Sequence, residues 1–255
     1  MTRTRTIAIA LVAIAAIAVG GYLAYDLILR GDDVASLTLP SATATADGSP
    51  AASDTAPTLA PASSDPSTAA STDGSVAGDW AVGAGSVAGY RVREQLASLP
   101  AESDAVGRTE DVSGSITVEQ SGDAATLTAG SLTVDTTTIQ SDEGRRDNRL
   151  RNEGLQTDQY PTATFVVTQP VDVPAPALSG TATDLTLTGD LTLHGVTKSV
   201  EIPAQAQLTD GKMQVAGALT FPLSDFGITA PNVGGFILSI ADEGTLEFLV
   251  SFEKA

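Results

Sequence analysis

No cysteine occurs in the 255 residues, which removes disulfides, thiol nucleophiles, cysteine-based metal sites and lipid anchoring through an N-terminal cysteine. One histidine is present, so metal centres built on several imidazoles are excluded by count. That residue lies in Leu193-His194-Gly195-Val196, a strand end running into a turn, where a solvated side chain is expected before a catalytic base. Positive charge is also scarce. There are 13 Lys and Arg against 31 Asp and Glu, a net charge of −18. Within residues 79–255 the balance is ten against 24, or −14. A phosphate-backbone binder needs a basic surface, so nucleic acid is not an expected partner. No Gly-rich phosphate loop precedes a helix, and paired carboxylates in so acidic a chain are unspecific. The expectation is a binding protein with no catalytic residues, no metal and no cofactor.

One long apolar run is present. From Ile7 to Tyr25 no residue is charged, and nineteen residues at about 1.5 Å each span roughly 28 Å, close to the hydrocarbon thickness of a bilayer. Arg3 and Arg5 precede it, while Asp32 and Asp33 follow. The positive-inside rule then puts the N-terminus in the cytoplasm and everything after Arg30 outside. The expectation is a single-pass cell-membrane anchor in residues 1–30, contacting the membrane through residues 7–29. A cleaved signal peptide is the competing reading; its apolar core is ordinarily shorter, and Tyr22-Leu23-Ala24-Tyr25-Asp26 lacks a small-x-small exit. Either reading exports the rest.

Residues 31–78 contain no aromatic residue and are built from Ala, Ser, Thr, Pro, Asp and Gly, with Pro50, Pro57, Pro61 and Pro66 breaking any period. Such a composition buries too little apolar area to offset its ordering entropy, so a disordered spacer is expected. From Asp79 the texture changes to alternation. Met213, Val215, Gly217, Leu219 and Phe221 share one face of a run, as do Leu185, Leu187, Leu191 and Leu193, and Leu246, Phe248, Val250 and Phe252. Ile116 with Val118, and Phe165 with Val167, repeat the pattern. A period of two means half-buried antiparallel strands. Turn signals at Gly122-Asp123, residues 174–180, His194-Gly195, Asp210-Gly211 and residues 242–244 point to a sandwich or barrel. Residues 142–152 are polar without alternation and read as one short helix, ended before Tyr160-Pro161.

That helix holds Arg145, Arg146, Arg149 and Arg151, four of the ten basic residues after position 78. They either form a cationic lip for a polar headgroup or pair with Asp142, Glu143, Asp147 and Glu153 on a solvated surface.

Two stretches resemble the YceI-like proteins of the bacterial envelope. One is Thr138-Ile139-Gln140-Ser141-Asp142 with Arg146-Asp147, Leu150-Arg151 and then Gln159-Tyr160-Pro161-Thr162-Ala163-Thr164-Phe165. The other, residues 187–198, is similar to the family's Gly-x-Leu-Thr-x-x-Gly-Val-Thr-Lys hairpin. Asp225-Phe226-Gly227-Ile228, Trp80 and Ser86 add to the likeness, which covers residues 79–254 in order. The strand Gly89-Tyr90-Arg91-Val92-Arg93-Glu94 departs from it, since the family usually has a more apolar strand followed by a histidine. The resemblance implies an all-β, lipocalin-like, eight-stranded antiparallel barrel over residues 79–255. It also implies an isoprenoid lipid or quinone tail as ligand. Phe165, Leu185, Leu187, Leu191, Met213, Val215, Leu219, Phe221, Phe248 and Val250 are then the expected cavity lining, with Arg145, Arg146 and Arg149 at its mouth. Gly189, Gly217, Ala204 and Ala206 leave room inside. Periodicity alone also allows a solid barrel acting as an envelope interaction module.

Overall fold

The computed structural model describes residues 34–40, 75–96, 102–230 and 237–255. The expected anchor, and most of the expected spacer, lie outside the described residues. Among the described residues no helix is long and apolar enough to cross a membrane.

The alternating runs fold into strands β1 (Gly78–Val82), β2 (Val87–Leu96), β3 (Glu102–Thr109), β4 (Val112–Ser121), β5 (Ala124–Asp135), β6 (Gln140–Ser141), β7 (Thr162–Val167), β8 (Val171–Val173), β9 (Thr183–Leu193), β10 (Val196–Thr209), β11 (Lys212–Pro222), β12 (Ile237–Ile240) and β13 (Glu243–Lys254). Among the described residues two α-helices interrupt them, α1 (Gly144–Arg149) and the four-residue α2 (Ala175–Leu178). All pairings are antiparallel. The ring runs β1-β4-β5-β7-β9-β10-β11-β13 and closes because β1 pairs with both β4 and β13. β2 and β3 continue the staves begun by β1 and β4: β13 pairs with β1 through Phe252 to Lys254 and with β2 through Thr245 to Leu249. The result is an eight-stave barrel with one short helix at its open end.

The break between β1 and β2 is held by Ser86, buried at 3 % exposure. Its hydroxyl donates to the Gly83 carbonyl at 2.8 Å and accepts from the Ser251 amide at 3.1 Å, so it takes over two backbone groups at the interruption. Trp80 closes the lower end, packed among Val118, Met213, Val250 and Phe252, with its indole N–H donating to the Val76 carbonyl at 3.0 Å. A second apolar cluster near the top joins Ile139, Leu155, Leu193, Phe221 and Phe226.

Small residues on the inner face do not leave the room expected of them. A Cβ on Gly189 would stand 2.6 Å from the Phe165 ring and 2.3 Å from the Val166 carbonyl oxygen. A Cβ on Gly217 would stand 2.7 Å from the Phe248 ring. Each glycine admits an aromatic ring from the neighbouring strand, and Ala204 and Ala206 are packed in the lower cluster. Their space is filled by neighbours. Because the atom nearest to Gly189 is backbone, Gly189→Ala cannot be relieved by a side-chain move. It should destabilise the barrel by about 1–3 kcal/mol, read as a lower urea midpoint with unchanged slope.

Candidate functional site

Above the packed lower end the barrel is hollow. A cavity of about 500 Å³ opens at the end carrying α1, and its wall includes Tyr90, Val92, Ile139, Leu150, Leu155 and Phe221. A smaller cavity of about 120 Å³ lies deeper, among Leu127, Leu132, Phe165, Leu187, Leu219 and Phe248. Gly89, Ala163 and Leu246 border both. A second apolar compartment thus lies beneath the first, with Gly89, Ala163 and Leu246 at the boundary between them. The upper volume alone falls in the range of small-molecule pockets.

The sequence-chosen residues divide by depth. Phe221 lines the upper cavity, while Phe165, Leu187, Leu191, Val215, Leu219, Phe248 and Val250 line the lower one. Leu185 and Met213 line neither; both belong to the packed lower core, Met213 fully buried beside Trp80 and Phe252. A period of two assigns a face but not a depth, and these two sit near the closed end, where Leu185 faces Ala204 and Met213 faces Phe252. Arg145, Arg146 and Arg149 all border the mouth of the upper cavity.

The arginines are not equivalent. Arg146 reaches inward to Glu94 on β2, with Nη2 to Oε1 at 2.6 Å, and also pairs with Asp142. Glu94 is 3 % exposed, a carboxylate held inside the wall by that partner. Asp147 is buried too, accepting from the Ser141 amide at 2.9 Å and hydroxyl at 2.6 Å, which pins α1 to β6. Arg151 donates to the Ile139 carbonyl at 3.3 Å. Arg145 and Arg149 are exposed and form no ion pair among the described residues. The helix thus combines both sequence-level readings: Arg146 is a structural pair, and its neighbours are free cations on the rim.

Tyr90 and Glu94, which sequence reasoning did not select, complete the mouth. Both sit on the inward face of β2 with Val92, at every second position of the strand that departs from the family pattern. Alternation was the available signal, masked by three charges in six residues. The Tyr90 ring lies against Gly107, where a Cβ would come within 2.4 Å of it. Burial pushes the phenol pKa up to about 12; Arg146 opposes this, and Asp147, Glu94 and Asp142 add to it. Burial works against the charge on Arg146, but Glu94 and Asp142 outweigh it and hold the guanidinium more firmly protonated than usual. The Tyr90 hydroxyl and Arg146 Nε are both buried and have no hydrogen-bond partner among the described residues. Two donors beside an apolar cavity suit a ligand with a hydrogen-bond-accepting end.

His194 lies in the turn between β9 and β10 at φ 51°. Its Nδ1 is 3.1 Å from the Phe226 carbonyl oxygen and its ring meets Tyr160 edge-on at 4.7 Å. The expected solvated turn histidine is instead half-buried, joining two loops at the open end. Among the described residues no three His, Asp or Glu side chains form a metal-binding cluster.

The sequence model of the YceI-like domain matches residues 82–252. This chain belongs to the YceI-like family. It is 35 % identical over 100 residues to Protein YceI of Escherichia coli O17:K52:H18, covering 39 % of this chain and 47 % of that one. It is 37 % identical over 133 residues to a UPF0312 protein of Shewanella sp. strain W3-18-1, covering 48 % and 63 %. These matches span about half to under two thirds of the relatives' length. A solved polyisoprenoid binding domain from Saccharophagus degradans, implicated in plant cell wall breakdown, shares the fold with a TM-score of 0.52 and 18 % identity, covering 69 % of this chain and 98 % of that one.

Two outcomes follow for the mouth. Glu94→Gln leaves Arg146 facing a neutral partner inside the wall and should cost about 2–3 kcal/mol of unfolding free energy, measured by denaturant titration. Because the folded Tyr90 pKa is raised, its contribution to stability is complete below about pH 10 and is lost as pH rises towards 12. Absorbance titration at alkaline pH should show a late phenolate step that Tyr90→Phe removes.

Proposed function

We propose that this chain is an extracytoplasmic, membrane-anchored binder or carrier of an apolar isoprenoid-type lipid. The observation that carries the reading is the hollow upper half of the barrel: a mostly apolar cavity, a second apolar compartment beneath it, and the unpartnered donors of Tyr90 and Arg146 at the open end. A prenyl chain would occupy the two compartments, and its polar end would rest under Tyr90 and Arg146. The sole imidazole is engaged between two loops, and the barrel's polar interior is a salt-bridged pair, which suits holding a molecule over transforming it. The export half of the proposal rests on the apolar run from Ile7 to Tyr25 with arginines before it.

Two headgroup chemistries fit the two donors. A quinone carbonyl would satisfy Tyr90 and Arg146, whose charge Glu94 and Asp142 already offset. A prenyl phosphate would also draw on the free Arg145 and Arg149.

The test is to purify the full chain from a bacterial host in mild detergent, extract it with organic solvent and identify lipids by mass spectrometry. A stoichiometric prenyl lipid is expected. It should be lost from Ala163→Trp, which fills the boundary between the two compartments, and retained by Asp123→Ser at the closed end. Arg145→Gln with Arg149→Gln should weaken retention several-fold if the head is a phosphate and leave it unchanged if the head is a quinone. A clean extract, with no uptake of added prenyl lipid, would sink the carrier reading.

A further inference from the structure

Residues 34–40 fall within the segment expected as spacer, yet they lie along the outside of the barrel. The Val34 carbonyl accepts from Arg91 Nη2 at 2.7 Å, and the Ala35 carbonyl accepts from Arg108. The Leu37 amide donates to Glu247 Oε2 at 3.5 Å, Leu39 is buried, and the Pro40 carbonyl accepts from Gln207 Nε2 at 3.4 Å. Beneath this segment Glu247 is 3 % exposed, bridged by Arg108 at 2.8 Å and Arg91 at 3.6 Å. The segment crosses a charged seam that it helps to bury.

Its direction carries the inference. Arg91 is opposite Thr245 on β13, and Thr245 borders the upper cavity. Gln207 is opposite Gln214, which is opposite Ser251, beside the packed lower core. From Val34 to Pro40 the contacts thus pass from the Arg91, Arg108 and Glu247 cluster on β2, β3 and β13 across to Gln207 on β10, which is level with Ser251, four strand positions or about 13 Å nearer the closed end. Val34 is therefore the end of the segment nearer the mouth, and Pro40 the end nearer the closed end. Only residues 26–33 separate the apolar run from Val34. Eight residues reach about 27 Å at full extension, whereas attachment first at Ser75 would leave a lead of about 160 Å.

We infer that residues 34–40 are a strap that delivers the N-terminal apolar run to the rim, so that the barrel faces a lipid bilayer mouth first. This rests on the reading of residues 7–25 as a membrane segment. With the strap seated, the open end is held within a few nanometres of the headgroups. Attachment through β1 alone, whose start lies at the closed end near Val76 and Trp80, would impose no such orientation.

The full chain contains no cysteine, so single labels can be placed at will. Ser224→Cys marks the mouth and Asp123→Cys the closed end; each is coupled to a fluorescent donor. The protein is reconstituted into phosphatidylcholine vesicles carrying a rhodamine headgroup acceptor. Donor quenching should be several-fold stronger at position 224 than at 123. A flexible Gly/Ser insert of about 20 residues between Asp33 and Val34 leaves every strap contact intact and should bring the two labels towards equal quenching. Equal quenching in the unmodified chain, stronger quenching at 123, or a bias that survives the insert would overturn the strap as the orienting element. A chain that fails to float with the vesicles would overturn the membrane-segment reading beneath it, and the orientation with it.

Discussion

The edge of β13 that faces β1 and β2 is the constraint on which the barrel depends. Its lower residues satisfy β1 and its upper residues satisfy β2, so one row of backbone groups closes two broken staves at once. An unpaired edge of that length would leave a line of donors and acceptors open to other strands. Closure therefore has to survive the break between β1 and β2, and Ser86 makes that possible by taking over the hydrogen bonds the kink interrupts. The kink lets the upper staves follow a different course from the lower ones. The lower end is plugged by Trp80, and the upper end stays open.

The same division governs the interior. At the bottom, side chains from all staves meet and pack, as protein cores do. Higher up, aromatic rings stand over strand glycines, Phe165 over Gly189 and Phe248 over Gly217. These rings lie back against the wall, which keeps a lumen open between them. Glycine here supplies a recess for a neighbour, so cavity volume depends on which rings occupy the recesses more than on how many small residues face inward.

Much of this was legible in the sequence, for physical reasons that also mark where legibility ended. Strict alternation in Lys212–Pro222 and Glu243–Lys254 can only be a half-buried strand, and Gly-containing turns can only separate such strands closely in an antiparallel array. Alternation carries no coordinate along the barrel axis, however, so Met213 and Phe221, identical in pattern, ended in the packed core and the cavity wall. Glu94 and Tyr90 were hidden because a buried carboxylate is recognisable only through its partner, and Arg146 comes from a helix 52 positions away. Composition likewise marked residues 34–40 as spacer; what holds them is pairing of their backbone carbonyls with Arg91 and Arg108, a contact to which side-chain composition is blind.

An acidic domain near a membrane raises its own difficulty. Residues 79–255 carry −14, and an anionic leaflet repels such a surface instead of recruiting it. Affinity for the bilayer therefore cannot be left to the barrel's charge. On the reading proposed above, covalent attachment takes that role, because a tether of a few residues fixes a high effective concentration whatever the sign of the surface. Length alone would not select an orientation; on the same reading, a strap docked across the outside of the barrel from Arg91 to Gln207 would, since it would fix where on the barrel the tether begins. The arginines at the rim would then act only over the last few ångströms, where Arg145 and Arg149 border the mouth and pair with no carboxylate among the described residues.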